Sequence, residues 1–401
     1  PGMREEAVAQ LSYRPLVKQG DIVHAGQVIG EFGSKNIAEK HLVPPGAGGE
    51  VVSIVSEGDY EGDGVLCVLR NDAGVETALG AGHYWPIRRP RPAAKRLPPR
   101  EPLVTGQRIM DTLFPVARGG RAALPGGFGT GKTILQESLA KWCDADVIVY
   151  VGCGERGNEM AEVLNEFPTL EDPRSGKPLL DRTVIIANTS NMPVAAREAS
   201  IYTGITVAEY FRDQGLHVAL MADSTTRWAE ALRERTGRLG ELPGEQGVPA
   251  DLSARLAEFY ERAAHVETLQ GEEGSVTIIG AVSPPAGDFS EPVTSQTKRY
   301  VRCFWALDRD RAQARFFPAI HPLTSYSEDV DALARWWRAR GNPDWTEHRR
   351  RILTLLEQRA RLERMARIVG KDALPPRQQL TLLCADLVNE ALLRQSAFSP
   401  V

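Results

Sequence analysis

Between Gly20 and Gly30 apolar and polar residues alternate, and Val51-Val-Ser-Ile-Val55 follows turns at Pro44-Pro45-Gly46 and Gly48-Gly49. A period of two, punctuated by glycine and proline, predicts short strands. Residues 1–84 therefore read as a small β-rich module. Residues 85–102 are rich in proline and arginine, which precludes a continuous helix or a central strand, so they read as a linker. From 103 to 327 the pattern changes. Continuous apolar runs at 146–152, 183–187, 217–222 and 275–280 are separated by helical patterns at 133–142, 159–167 and 193–213. Such alternation predicts a mostly parallel sheet with helices on both faces. Residues 328–401 are helical. Ile352, Leu355, Leu356, Leu362, Met365, Ile368 and Val369 recur at helical spacing, with Gly370 placed to close the helix. Leu380, Leu383, Leu387, Val388 and Leu392 form a second stripe. Both stripes are expected to be core packing.

Composition narrows the class. The 401 residues carry a net charge of -4, which gives the whole molecule no electrostatic pull on nucleic acid. Arg88, Arg89, Arg91, Lys95, Arg96 and Arg100 could form a local nucleic-acid patch. Aromatic residues are nearly absent among them, which favours an extended linker pressed on a domain surface. Lys35 and Lys40, in the β-rich module, read as solvated surface charges. The five cysteines are scattered, odd in number and without C-x-x-C spacing, as expected of reduced thiols in a cytoplasmic protein. The histidines form no zinc-binding cluster. No apolar run reaches membrane-spanning length and no signal peptide is visible, so a membrane would be reached only through other subunits. The chain begins Pro1-Gly2 and reads as a fragment of a longer protein.

The chemistry centres on Gly126-Gly127-Phe128-Gly129-Thr130-Gly131-Lys132-Thr133, which fits G-x-x-x-x-G-K-[ST] without a gap. Such a loop wraps a polyphosphate in backbone N–H groups; its Lys reaches the outer phosphates and its hydroxyl ligates Mg²⁺. An apolar strand before it and a helix after it supply the context, since a helix N-terminus adds positive potential to the cradle. A flexible glycine turn is the bland alternative. Asp223 ends an apolar run, so it emerges where α/β sheets bind ligands and is a candidate metal anchor. Capping the next helix is its alternative role. Glu155 follows the strand at 146–152 and is a candidate for positioning an attacking water. Position alone leaves it equally open as a solvated loop carboxylate. Arg156 could hold it by an ion pair, Glu159 lies on the next helical turn, and Arg227 could brace these acids or be a plain surface arginine.

These residues resemble the catalytic A subunit of the V/A-type rotary ATPases. The resemblance is carried by the loop at 126–133, Gly152-Cys-Gly-Glu-Arg-Gly-Asn-Glu159, the segment 222–232, Trp85-Pro-Ile-Arg-Arg-Pro-Arg-Pro92, Leu103-Val-Thr-Gly-Gln-Arg108, the segment 271–285, Asp288-Phe-Ser-Glu-Pro-Val-Thr294 and Phe304-Trp-Ala-Leu-Asp308. It spans nearly the whole chain. It implies a phosphate-loop nucleoside triphosphatase fold, with a parallel sheet flanked by helices between an inserted β module and a helical C-terminal domain. It implies ATP and ADP as nucleotides and Mg²⁺ as cofactor. By it, Lys132 and Thr133 would bind phosphate and Mg²⁺, Asp223 would hold the metal shell, and Glu155 would position the water with support from Arg156 and Arg227. Phe317 would lie on adenine and Phe398 would cover its other face; for both, core packing is the alternative.

The resemblance further implies an A₃B₃ ring in which the neighbouring B subunit supplies an arginine finger. Central stalk subunits would turn within the ring. The membrane sector would be contacted indirectly, from the cytoplasmic face, with H⁺ or Na⁺ as the coupled ion. The family's N-terminal β-barrel is expected to be missing ahead of Pro1. Thr130 stands where eukaryotic members have a redox-sensitive Cys, so no thiol switch is expected there. Arg235, Thr236, Val248, Asp251, Ser295 and Gln296 depart from the family strings and suggest altered subunit contacts. The rival readings are a secretion-type hexameric ATPase, an RNA or DNA translocase and a non-catalytic nucleotide-binding ring subunit.

Overall fold

A computed structural model describes residues 10–33, 37, 39–238, 240 and 247–397. Residues 10–80 form two four-stranded antiparallel sheets. One contains Gln10–Pro15, Val28–Gly33, Glu39–Leu42 and Gly58–Glu61; the other contains Ile22–Val23, Gly49–Ile54, Val65–Arg70 and Glu76–Gly80. The core they share includes Val23, Ile29, Val43, Val51, Cys67 and Leu69. Gly49 has φ +134°, and a Cβ there would overlap the Arg70 carbonyl, so only glycine lets these strands approach.

Lys40 is not the solvated charge expected of it. Its Nζ lies 2.9 Å from Glu272 Oε2 and donates to the Gln214 carbonyl at 3.1 Å, tying the β module to the next domain. Lys35 lies outside the described residues. The basic linker is likewise engaged internally. Arg88 pairs with Glu198, the buried Arg91 side chain donates to Asp213 at 2.7 Å, Arg96 donates to the Glu261 carbonyl, and Arg100 pairs with Glu273. Lys95–Leu97 adds an antiparallel strand alongside Ala264–Glu267. The prolines around it are compatible with this edge position and would not be with a central one.

The central domain holds the expected alternation. Its elements are β1 (Arg121–Pro125), α1 (Lys132–Trp142), β2 (Val147–Glu155), α2 (Gly157–Glu166), β3 (Thr183–Thr189), α3 (Val194–Asp213), β4 (His217–Asp223), α4 (Thr225–Arg238) and β5 (Glu273–Val282). The strands pair in the order β3-β2-β4-β5-β1, all parallel. All nine residues of β2 are buried, which is why the run carries no polar alternation. Ile148 and Tyr150 pack on one side of the sheet with Leu135 and Leu139 of α1. Val147, Val149 and Val151 pack on the other with Ile201, Ile205 and Trp228.

The C-terminal domain contains α5 (Val330–Ala339), α6 (Trp345–Val369) and α7 (Pro376–Leu387), the last continuing as a π-helical turn, Val388–Leu393. Gly370 closes α6 as expected, with φ +87° and its N–H donating to the Ala366 carbonyl. Both stripes depart in part from expectation. Leu356, Leu362, Leu382 and Leu393 are buried, but Leu380, Leu383 and Leu387 are exposed, and so are Met365, Ile368 and Val369. The α6–α7 hairpin buries its inner side through Leu362, Leu374 and Leu382 and leaves an outer apolar face uncovered. No helix among the described residues is long and apolar enough to cross a membrane.

Candidate functional site

The glycine loop is built by its backbone. The Gly126 N–H donates to the Val282 carbonyl at 3.0 Å, which sets the loop at the ends of β1 and β5. A Cβ on Gly126 would come 2.6 Å from Thr130 Oγ1 and 2.7 Å from Leu307 Cδ1, so no side chain fits there. Gly129 and Gly131 have φ of +78° and +81°, a region closed to most residues. Thr130 is buried and donates its hydroxyl to the Gly127 carbonyl, closing the turn, while Phe128 is 92% exposed. Lys132 begins α1, whose first N–H groups lack helical partners and suit an anion.

A cavity of about 810 Å³ opens over this loop, lined by Gly126, Gly127, Phe128, Gly129, Gly131, Lys132 and Thr133 and by acids from neighbouring strands. Asp223 ends β4, as expected, and is buried. Its Oδ2 accepts from the Tyr150 hydroxyl at 3.2 Å, and its Oδ1 accepts no hydrogen bond, with the Lys132 ammonium 3.4 Å away. Capping is done by the next residue instead: Ser224 Oγ accepts from the Arg227 N–H. Lys132 Nζ also donates to Ser283 Oγ, just beyond β5.

Glu155 is the last residue of β2, not a loop residue; the strand runs on past an irregularity at Gly152. It is buried in the same cavity. Burial pushes its carboxyl up to about 8, followed by the Asp223 charge and a hydrogen bond with Glu159, while Lys132 pulls the other way. The expected ion pair with Arg156 is not made: Arg156 is exposed where the chain turns into α2. Arg227 lines the cavity, but its guanidinium is held by Glu230 at 3.0 Å, so it acts on Glu155 and Glu159 only over a longer distance. Lys132, from α1, therefore contributes the cation that lowers the Glu155 carboxyl.

This arrangement has a measurable consequence. Glu155 titrates near 8 in the folded chain against an ordinary value of 4.5, so the native state holds its proton more tightly than the unfolded state. The stability this gives is complete below 4.5 and is lost as pH rises through 8. Glu155→Gln mimics the protonated form. Without nucleotide, its Tm should exceed the parent's at pH 8, and the difference should shrink steadily with falling pH and close below 4.5. A constant difference from pH 5 to 8 would mean that Glu155 is ionised throughout.

Phe317 is 39% exposed, which is not core packing. It lines a second cavity of about 230 Å³ with Gln107, Gly131, Ile134, Gln395 and Ala397, and this cavity shares Gly131, Ile134 and Ala397 with the large one. A Cβ on Gly131 would lie 3.3 Å from the Phe317 ring. Trp142 Nε1 donates to the Ala397 carbonyl at 3.0 Å, holding the chain beside this pocket; Phe398 lies outside the described residues.

Among the described residues no group of three or more His, Cys, Asp or Glu side chains is placed to hold a metal ion. Asp223 Oδ1, which accepts no hydrogen bond, and the Thr133 hydroxyl nonetheless fit Mg²⁺, which takes few protein oxygens and fills its shell from phosphate and water.

Sequence reasoning missed Ser283, Thr226 and Glu137. Ser283 follows a buried parallel strand, as Asp223 does, so the rule that ligands sit at strand C-termini could have found it. Thr226 Oγ1 accepts from the Ser283 N–H at 2.9 Å. Glu137 lines the cavity, and its carboxyl is pushed up to about 8 by burial and by Glu166. Two of the departures from the family strings pair with each other: Arg235 lies 3.4 Å from Asp251 and 3.0 Å from Glu198. These two are thus joined to each other within the chain.

Comparison with known proteins agrees along the chain. Residues 106–327 match the ATP synthase alpha/beta family, nucleotide-binding domain. Residues 6–88 match the alpha/beta subunit barrel-sandwich domain, and 334–401 match the C-terminal domain of V and A type ATP synthase. The chain is 54% identical to an A-type ATP synthase A subunit of Methanospirillum hungatei over 401 residues, covering 100% of this chain and 68% of that protein. It is 57% identical over 387 residues to the V-type ATP synthase alpha chain of Halothermothrix orenii, covering 96% of this chain and 66% of that one. The chain thus spans about two thirds of the length of these relatives. The solved structure of an ATPase from the type III secretion system of pathogenic bacteria matches with TM-score 0.62 at 27% identity, covering 77% of this chain and 83% of that one.

Proposed function

Because this chain belongs to the ATP synthase alpha/beta family, with A-type A subunits and V-type alpha chains among its relatives, we propose that the cavity over the glycine loop is its Mg-ATP site, where Glu155 directs the attacking water. The family activity is ATP hydrolysis or synthesis within an ATP synthase complex. The observation that carries the site is the meeting of Lys132, Asp223 and Glu155 in one cavity, with Asp223 Oδ1 accepting no hydrogen bond and Glu155 also buried there.

In this reading the backbone N–H groups of 126–133 bind the phosphates and Lys132 reaches the outer ones. Thr133 and Asp223 would hold Mg²⁺, which would neutralise charge on the β- and γ-phosphates when bound. Glu155 accepts a hydrogen bond from water and turns its lone pair toward the γ-phosphorus. Arg227 acts on that carboxylate through its field, while Arg156 stands exposed at the cavity edge. An arginine from a neighbouring B subunit in an A₃B₃ ring completes the site. Such a finger is worth about 10³–10⁵ in rate, so the isolated chain should turn over slowly. The exposed stripe of Leu380, Leu383 and Leu387 suits the C-terminal domain to bearing on a central stalk as sites close. The complex would lie on the cytoplasmic face of the membrane, coupling to H⁺ or Na⁺ through a membrane sector that this chain does not touch.

Phe317 tests the orientation of the nucleotide. If adenine stacks on its ring, Phe317→Ala in the assembled complex should raise KM for ATP about tenfold while kcat stays within about twofold, since stacking binds ground state and transition state alike. Unchanged KM in steady-state assays would remove adenine from the cavity beside Gln107 and Gln395.

A further inference from the structure

Lys132 keeps a contact that the chemistry above does not use. Its Nζ donates to Ser283 Oγ and stands 3.4 Å from Asp223 Oδ1. An ammonium has three donors and no acceptor. One is given to Ser283, and Asp223 Oδ1 attracts the charge from 3.4 Å without accepting a hydrogen bond, so two donors stay available to the cavity that Lys132 lines.

Ser283 is itself fixed. Val282 pairs in register with Pro125 and its carbonyl accepts from Gly126, so Ser283 stands level with the start of the glycine loop. Its N–H donates to Thr226 Oγ1 on α4, and Pro284 and Pro285 restrict the backbone after it. The two partners of Lys132 differ in kind. Asp223 is an anion 3.4 Å away, and its attraction competes directly with a phosphate for the same cation. The Ser283 hydroxyl is a neutral acceptor that holds the ammonium in place without cancelling its charge.

We infer that Ser283 is a positioning residue for Lys132, holding the ammonium at the phosphate loop while it exchanges Asp223 for a phosphate oxygen. The inference rests on the reading of this cavity as the Mg-ATP site. With Ser283 gone, the lysine leans on Asp223 alone, and phosphate must displace a tighter pair.

The test is a titration of the assembled complex with Mg-ATP and with AMP, for the parent, Ser283→Ala, Ser283→Thr, Lys132→Ala and the double variant Lys132→Ala with Ser283→Ala. Ser283→Ala should weaken Mg-ATP about tenfold, as expected for a lost hydrogen bond to a charged group, and leave AMP within about twofold. Ser283→Thr keeps the hydroxyl and should return to within about threefold of the parent. The double variant should bind no more weakly than Lys132→Ala. Parental Mg-ATP affinity in Ser283→Ala, an equal loss for AMP, or full additivity in the double variant would overturn the inference. A parent complex that binds Mg-ATP no more tightly than Lys132→Ala would instead remove the nucleotide reading beneath it.

Discussion

Glu155→Gln in the assembled complex should bind Mg-ATP within about threefold of the parent and lose about 10²–10⁴-fold in steady-state hydrolysis. The amide keeps the size of the carboxyl and can still accept a hydrogen bond from water. It loses the anionic oxygen that aligns the water and draws its proton in the transition state. Binding should be spared because Glu155 ends β2 and faces the cavity, whereas the phosphate cradle is made by 126–133. Burial pushes the parent carboxyl up to about 8 in the free chain, so kcat/KM for Mg-ATP should rise with pH as Glu155 ionises. That acid limb should vanish in the residual activity of Glu155→Gln. Undiminished turnover, measured by phosphate release, would take Glu155 out of the mechanism.

Lys132→Ala should act earlier, on binding. Hydrogen bonds to charged partners are worth about 1.5–3 kcal/mol each, so removing the ammonium should weaken Mg-ATP by about 10²-fold or more. The same variant leaves Asp223 and Glu155 together without their nearest cation. Lys132 is the group that lowers the Glu155 carboxyl, so in Lys132→Ala that carboxyl should be pushed further up. Titration of the assembled complex with a fluorescent ATP analogue reads the first effect, and the pH dependence of unfolding reads the second. Equal affinity with and without the lysine charge would refute the phosphate-binding role of the glycine loop.

The glycine loop was legible because its information is local. Gly126, Gly129 and Gly131 are demanded by close approach and by positive φ within eight consecutive residues, and a contiguous string records that directly. The buried strands were legible for a related reason: a strand covered on both faces is mainly apolar, as the central runs 147–151 of β2, 218–222 of β4 and 278–282 of β5 are. Asp223 followed from being the first charge after such a run. Glu155 was harder. The irregularity at Gly152 carries β2 three residues beyond the apolar run, so a residue expected in a loop ends a strand and is buried.

Contacts between distant segments were not legible. Ser283 meets Lys132 across 151 positions because the sheet order β3-β2-β4-β5-β1 sets β5 beside β1. Lys40 reads as an ordinary surface lysine until Gln214 and Glu272 are seen beside it. Periodicity likewise placed Leu380, Leu383 and Leu387 on one stripe of α7 but could not say whether anything covers it. A stripe records which residues point together, and the neighbouring helix decides whether that side meets protein or solvent.

The amino-acid order alone was sufficient for the class of fold, the glycine loop and the strand-end acid Asp223, because each is specified by backbone demands or burial within a short window. Folding alone set the partners of Lys132, the environment that lifts the Glu155 carboxyl and the uncovered apolar face of the C-terminal helices. These depend on distances between strands and helices far apart in the chain, and electrostatic and desolvation energies follow distance in space, not separation along the backbone.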